Sequence, residues 1–398
     1  FIAMSPIQKV NQTMQTESDI AQILASTVRS WAQRYALPEA GARDASCRFD
    51  LSLYRKLDAE LGVMNTTLPE DLAGSNLDIS APIAVIESLS MYDPALALSY
   101  LSQELLFAHQ LYHTWRDLSR PIPLRHADIL RAKPISGMAM TEPNAGTDVL
   151  AMKTTATKTE SGYVLNGIKQ WITNAPVAQY LLVYARTGQE RRDMSLFLVD
   201  MHSAGIAVTP CEKKLGMRSS PTGIVTFADC HIADDSLVGN LHEGLRPMIR
   251  NLAVERLGLA AQSCGIAKTC VDCMKDYAAQ RVAFGKKIDE FGQIQKMIAE
   301  SYAKMRAMQT LIEATTQRII DRHPDASIDA DATKLFCATS AEEIARNAIQ
   351  TLGANGYTEA YPVERLLRDA ILIAIGGGTN EALQKNITRQ LNRRHKVD

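Results

Sequence analysis

Five short runs decide the architecture: Lys153-Thr-Thr-Ala-Thr157, Gly162-Tyr-Val-Leu-Asn-Gly167, Tyr180-Leu-Leu-Val-Tyr-Ala185, Ser195-Leu-Phe-Leu-Val199 and Gly223-Ile-Val-Thr-Phe227. Each is rich in β-branched or aromatic residues. Glycines, prolines and Asn174 punctuate them, as expected of strands joined by turns. They fall between about residues 135 and 239, and on either side the periodicity is helical. Upstream, from about residue 7 to 133, Ile20, Ile23, Leu24 and Val28 share one helical face, and a second run extends from Ala81 to Leu101. Turn-forming Pro38-Glu39, Gly62, Pro69 through Gly74 and Pro121 through Pro123 separate these runs. Downstream of Leu241 long helices are predicted over about 245–280, 293–322 and 329–352, with shorter ones to the end. The order predicts an α+β chain: an N-terminal helical domain (1–134), a middle antiparallel β domain (135–240) and a C-terminal four-helix bundle (241–398). Alternating β-α-β units are absent, which disfavours a dinucleotide-binding fold.

With 398 residues, 46% of them hydrophobic and 22% charged, the chain can bury several cores. Forty-three Lys and Arg against 44 Asp and Glu leave a formal charge of −1. That balance argues against nucleic acid or an acidic membrane surface as partner. No apolar run approaches the ~18 residues of a membrane span, so no membrane insertion is expected. The opening Phe1-Ile-Ala-Met-Ser-Pro6 lacks the basic-then-apolar order of a secretory leader. Seven scattered cysteines, an odd number, fit free thiols in a reducing compartment, and the expectation is a cytoplasmic protein. Cys270 and Cys273 sit inside a predicted helix without two further ligands, so no metal site is expected.

Four segments carry candidate chemistry. In Thr141-Glu-Pro-Asn-Ala-Gly-Thr-Asp148, Pro143 and Gly146 shape turns that let backbone N–H groups and the Thr141 and Thr147 hydroxyls converge on an acceptor-rich ligand; alone, it is also an ordinary polar loop. In Lys169-Gln-Trp-Ile-Thr-Asn174, Trp171 and Thr173 share a strand face, where an indole can cover a flat ring and a hydroxyl can bond its edge. A core Trp at a strand end reads the same way. Arg281-Val-Ala-Phe-Gly285 ends the first long predicted helix. There Arg281 can grip a pyrophosphate and Phe284 can pack on a ring, or the segment is a basic helix C-terminus capped by Gly285. Gly376-Gly-Gly-Thr-Asn-Glu381 precedes a helix and offers an anion or carbonyl-oxygen site, or a plain turn.

These segments, with Lys214-Leu-Gly-Met-Arg218, Gln350-x-x-Gly-Ala-Asn-Gly-Tyr357 and Tyr361-Pro-Val-Glu-Arg-Leu-Leu-Arg-Asp369, stand in one order over nearly the whole chain. In that order and spacing the sequence resembles the acyl-CoA dehydrogenase family. The resemblance implies FAD, an acyl thioester substrate, the helical–β–helical architecture, and a homotetramer (or homodimer) whose flavin sites lie near subunit interfaces. It implies flavin contacts from Met138, Met140, Thr141, Thr147, Trp171, Thr173 and Thr379, and contacts to a neighbouring subunit's FAD from Arg281, Phe284, Gln350 and Gly353. Thr147, Arg256 and Gly377 would face the substrate. An electron-transfer flavoprotein is the implied electron acceptor.

The reaction of such enzymes needs a carboxylate beside the substrate α-carbon and donors to the thioester carbonyl. Many members place the acid immediately before Gly378-Thr379; here that residue is Gly377, which has no side chain. A second acid stands in Asn251-Leu-Ala-Val-Glu-Arg-Leu-Gly-Leu-Ala260, where Met248, Leu252, Leu259 and Gln262 share the helical face of Glu255. Burial on such a stripe raises a carboxyl toward the range of a general base, whereas a surface Glu would pair with Arg250 or Arg256. Isovaleryl-CoA dehydrogenase-like members carry Glu-Arg-Leu here and no acid in the last motif, so the resemblance assigns the base to Glu255. It leaves Gly377 a role through its backbone N–H. The space opened at Gly377 suits a short or branched acyl group. Departures from the family pattern are Ala253 in place of an Asp near the pantetheine arm, Gly292 in place of a flavin-contacting Gln, and Ile373 with Ala374 in place of a more polar pair. They admit an acyl-carrier-protein thioester as an alternative substrate. A flavin monooxygenase on the same fold, or a silent thioester-binding protein, are the remaining alternatives.

Overall fold

The computed structural model describes residues 17–211 and 213–394. The helical onset expected near Ile7 and the end of the basic run Arg393-Arg-His-Lys396 lie outside the described residues. The N-terminal part is built from α1 (Glu17–Tyr35), α2 (Ala40–Ser46), α3 (Leu51–Leu61), α4 (Ser80–Ser90), α5 (Pro94–Gln103), α6 (Gln110–Asp117) and α7 (Leu124–Ala132). Local chemistry sets several of these ends. Asp50 caps α3 by accepting the Leu53 N–H, and Gly62 ends it in the left-handed region; Asp93 caps α5, with Pro94 in its first turn. Between α5 and α6 the helix widens into one π turn, Glu104–His109. There the buried Glu104 carboxylate accepts the backbone N–H groups of Asn65 and Thr66, and burial pushes it up to about 7.

An eight-stranded sheet follows: β1 (Ser136–Ala139), β2 (Thr155–Lys158), β3 (Gly162–Thr173), β4 (Tyr180–Arg186), β5 (Met194–Asp200), β6 (Ile206–Pro210), β7 (Thr222–Ala233) and β8 (Leu237–Val238). Its order is β6-β7-β3-β2-β4-β5-β8, with β1 paired to β4. Most pairings are antiparallel, as the turn-punctuated sequence predicts. Two are not: β1 runs parallel to β4, and Thr155 meets Arg186 in a parallel pair, so the sheet is mixed. The β2–β3 hairpin separates β1 from β4 in sequence, which leaves chain enough for β1 to cross over and enter alongside.

The C-terminal part comprises α8 (Leu245–Ala278), a hairpin of β9 (Val282–Ala283) and β10 (Lys286–Lys287), α9 (Gly292–Ile320), α10 (Ala326–Leu352), α11 (Val363–Ile373) and α12 (Asn380–Arg394). The 34-residue α8 is the axle of the molecule. It packs on α10, α9 and α4, and at Gly258 the absent side chain admits Leu101 and Leu105, whose Cδ1 atoms would come within 2.9 Å of a Cβ. Buried side chains of α1, α3, α4, α5, α8, α10 and α11 form one helical core, while the sheet buries Leu165, Leu181, Val183, Phe197, Val225 and Phe227 in another.

Two of the sequence motifs join these parts. In Lys214-Leu-Gly-Met-Arg218, the Met217 N–H donates to the Asp369 carboxylate of α11, and Arg368 donates to the Leu215 carbonyl at 3.0 Å. Arg368 also pairs with Asp44 of α2 at 2.6 Å, so the clasp holds sheet, bundle and N-terminal helices together. Among the described residues no helix is long and apolar enough to cross a membrane.

Candidate active site

Glu255 lies in the first half of α8, with its Oε2 buried and without a hydrogen-bond partner. Neither neighbouring arginine pairs with it. Arg250 is turned to Asp117, and Arg256 donates to Asp331 at 2.5 Å and to the Gly377 carbonyl at 2.9 Å. Burial pushes Glu255 up to about 7 against the pull of Arg256 and Lys334. A carboxyl with that affinity can both take and release a proton near neutrality.

The carboxyl faces the 376–379 loop. A Cβ built on Gly377 would stand 3.7 Å from the Glu255 carboxyl and 2.7 Å from Leu259 Cδ1. One acid therefore fits this space, and α8 supplies it. Gly377 also holds φ +64°, in the left-handed region that side chains disfavour. Two buried cations fix the loop: Arg256 on the Gly377 carbonyl, and Lys334 of α10 on the Gly378 carbonyl at 2.9 Å. With both carbonyls turned to those cations, the Gly377 and Gly378 N–H groups have no acceptor among the described residues. They are the donors this site can offer to a carbonyl oxygen.

The Arg256 side chain is only 9% exposed, with Nη1 on Asp331 and Nε on the Gly377 carbonyl, so it ties the loop to α10. Lys334 does the same work. The sequence reading did not single it out; its signal was a Lys three residues after Asp331 on a helix face shared with Cys337, Ala338 and Ala341. Gly377→Ala is expected to lower kcat/KM by about 10²-fold, because a strained Cβ driven into Leu259 moves the donors off target. Steady-state kinetics at unchanged FAD content check this.

A second wall comes from β1, β3 and the loop after β1. The register of β3 against β7 shifts between Lys169 and Ile172, and at that bulge Trp171 takes φ +62° and stands 58% exposed. Bulges and strained backbone of this kind re-aim side chains at functional sites. The Gln170 N–H donates to the Thr141 carbonyl at 2.9 Å, which lays the 141–147 loop against the strand. Beneath it Lys169, fully buried, donates to Glu142 at 2.9 Å and to the Met140 carbonyl at 3.0 Å. Glu142 further accepts the Lys153 and Thr154 N–H groups. Burial alone would push Glu142 up, but Lys169 and these donors outweigh it and hold it below the ordinary value.

Met138 and Met140 are half-buried beside this loop. Among the described residues the hydroxyls of Thr141, Thr147 and Thr173 have no partner. An exposed indole, unpartnered hydroxyls and free loop N–H groups together fit a flat, acceptor-edged cofactor such as FAD. Thr379 is used locally, capping α12 by accepting the Ala382 N–H at 3.3 Å.

The remaining residues lie elsewhere. Arg281-Val-Ala-Phe-Gly285 does not end α8, as the sequence predicted; the helix stops at Ala278. Val282 and Ala283 pair with Lys287 and Lys286, and Phe284 and Gly285 both take positive φ. Two such residues between paired strands make a tight hairpin, a more local arrangement than one further helical turn. Phe284 at its tip is 96% exposed. Gln350 and Gly353 are exposed as well, and Asn355 ties their turn to the same end of α8 by donating to the Tyr277 hydroxyl at 2.8 Å. At about 1.5 Å of rise per residue this end lies roughly 35 Å along α8 from Glu255. Within one chain the structure therefore does not bring Arg281, Phe284, Gln350 and Gly353 to Glu255.

Family models for the N-terminal, middle and C-terminal domains of acyl-CoA dehydrogenase match residues 18–114, 137–230 and 242–392. The mitochondrial isovaleryl-CoA dehydrogenase of Oryza sativa subsp. japonica is 34% identical over 378 residues, covering 94% of this chain and 91% of that protein. The structure of butyryl-CoA dehydrogenase from Megasphaera elsdenii superposes with a TM-score of 0.89 at 27% identity, covering 96% of this chain and 99% of that one. A chain from a structure described as the electron transferring flavoprotein of Acidaminococcus fermentans gives 0.89 at 28% identity, with coverage of 96% and 99%.

Proposed function

The chain belongs to the acyl-CoA dehydrogenase family of FAD-dependent oxidoreductases, and from that premise we propose that it desaturates a short or branched acyl-CoA to the trans-2-enoyl thioester with Glu255 as base. The observation that carries this reading is the Glu255 carboxyl, 3.7 Å from the Cβ position of Gly377 and without a protein partner for Oε2. Seated with its carbonyl on the Gly377 N–H, a thioester presents its α-carbon to that oxygen. Glu255 takes the α-proton, and the electron pair left by the broken C–H bond forms the double bond. Bound FAD supplies the acceptor for the β-hydrogen, which leaves as hydride. Arg256 and Lys334 hold the carbonyl donors still, and Leu259 closes on the Gly377 loop that the carboxyl faces.

Trp171, Thr173, Met138, Met140, Thr141, Thr147 and Thr379 are the proposed FAD contacts. The outlying Arg281, Phe284, Gln350 and Gly353 are proposed to serve the FAD of a second copy in a homotetramer or homodimer. An electron-transfer flavoprotein is the proposed acceptor, in keeping with the solved relative described with one. The proposed domain limits are 1–134, 135–240 and 241–398. The free thiols fit a reducing compartment, the cytoplasm in this reading.

Anaerobic mixing tests the activity: a short or branched acyl-CoA should bleach the flavin band, and bleaching only by acyl-carrier thioesters, or by none, overturns the substrate reading. Phe284→Ser tests the assembly. Because Phe284 is 96% exposed in the single chain, its loss should leave the fold intact, yet reduce FAD content by half or more and shift size-exclusion elution toward smaller species.

A further inference from the structure

The Lys214-Leu-Gly-Met-Arg218 turn docks on α11 backbone to backbone. An ideal Cβ on Gly216 would overlap the Arg368 carbonyl and stand 2.7 Å from the Asp369 nitrogen, so no side chain fits between turn and helix. The next residue, Met217, is fully buried and holds φ +48° although it carries a side chain. Backbone strain of that kind persists only where the surroundings over-determine it. Here the buried Asp369 carboxylate takes the Met217 N–H, and Gln262 of α8 donates to the Met217 sulfur at 3.9 Å.

Each side of this contact leads to one half of the site. On the bundle side, Asp369 stands one turn before the end of α11, and the last glycine loop hangs from that end. The Gly376 N–H donates to the Leu372 carbonyl at 2.9 Å, and the Asn380 N–H to the Ala374 carbonyl at 3.0 Å. On the sheet side, Lys214 Nζ donates to the Thr222 hydroxyl at 2.8 Å, and the Asn174 N–H to the Pro221 carbonyl at 2.7 Å. Thr222 pairs in register with Thr173 of β3, two residues from Trp171. The buried Asn174 amide ties that strand end to the Ser136 carbonyl, where β1 begins, at 2.9 Å.

We infer that Asp369 is a positioning residue: by holding the Met217 N–H it sets the spacing between the Trp171–Thr173 wall and the Gly377 donors. The inference rests on the proposed dehydrogenation, in which the wall seats the flavin and the donors seat the thioester carbonyl. Those two seats belong to different structural units, the sheet and the bundle, and hydride must cross from one to the other. Such a step tolerates little error, since a misplacement of about 1 Å costs roughly 10²-fold in rate, while each seat can still bind its own ligand.

Three variants test it. Asp369→Asn keeps an acceptor for the Met217 N–H, Asp369→Leu removes it at nearly the same size, and Gly216→Ala leaves Asp369 in place but lifts the turn from α11. Each is read for the ratio of FAD to protein, for visible circular dichroism of the bound flavin, and for anaerobic bleaching per bound flavin over a series of acyl-CoA concentrations. D369N should bleach at close to the wild-type rate. D369L and G216A should keep FAD and half-saturate near the wild-type concentration, with altered flavin dichroism and a limiting rate lower by roughly 10²-fold. Wild-type limiting rates in D369L and G216A overturn the inference. So does an equal loss in D369N, because the acceptor would then not be what matters. Loss of FAD from both D369L and G216A overturns it as well, since the clasp would then serve only to fold the cofactor wall. If no acyl-CoA bleaches the wild type, the proposed dehydrogenation falls and takes this inference with it; if the wild type bleaches and D369L matches it, the positioning role alone falls.

Discussion

Glu255→Gln is expected to slow flavin bleaching by an acyl-CoA by roughly 10³-fold or more while the protein remains yellow and still binds the thioester. The substitution keeps the shape of a side chain that faces the Gly377 loop, and it removes the one group there able to accept a carbon-bound proton. The proposed flavin contacts lie on other elements, so cofactor content should not change. Stopped-flow absorbance under anaerobic conditions checks the rate, and bleaching at the wild-type speed would refute the assignment.

The pH dependence has a definite sign. Burial holds Glu255 at about 7 in the folded chain against 4.5 ordinarily, so the ionised base appears as pH rises through about 7, and wild-type bleaching climbs across that interval. Between those two values the folded chain keeps a proton that the unfolded chain has released. Folding stability contributed by this group is therefore present below about 4.5 and lost as pH rises toward 7. E255Q, which does not ionise, should melt above the wild type at pH 8 and alongside it at pH 4.

Lys169→Met is expected to be the most disruptive single change to the fold near the site. Lys169 is fully buried, and its partner Glu142 is 6% exposed. Removing the lysine leaves a carboxylate held by the Lys153 and Thr154 N–H groups alone and takes the donor from the Met140 carbonyl. Losing one partner of such a pair costs about 3–5 kcal/mol, because the remaining charge stays out of water. The effect should reach the cofactor as well, since this pair holds the 141–147 loop against Trp171. Thermal unfolding and the ratio of flavin to protein absorbance read both consequences. A variant with wild-type melting and full FAD content would show that the loop is held by other means. Glu142→Gln should be milder, since its amide oxygen still accepts a hydrogen bond.

Much of this was legible before any coordinates. The β-branched runs between Lys153 and Phe227 and the helical stripes on both sides carry their own periods, so the three-part order could be read directly. Trp171 and Thr173 do stand on one strand, although the bulge at Trp171 breaks the simple alternation that sequence spacing assumes, and Glu255 does have a buried carboxyl oxygen with no partner. What misled the reading was local as well: Arg281-Val-Ala-Phe-Gly285 looks like a capped helix end, yet two residues at positive φ turn it into a hairpin. The β1–β4 pairing was invisible because parallel neighbours are joined only after a long excursion.

Sequence alone determined which of the long segments become helix or strand and which residue types stand in the motifs, because periodicity and turn chemistry are properties of adjacent residues. Tertiary structure alone decided that the Arg250 and Arg256 charges go elsewhere and leave Glu255 unpaired. It also decided that Lys334 and Arg256 grip the last glycine loop, and that Lys169 sits under the loop after β1. Those partners stand 121, 44 and 27 residues apart in the chain. Nothing in a stretch of sequence marks which distant charge will meet it; that is fixed when the helices and sheet close around a common core and each buried charge must find a partner.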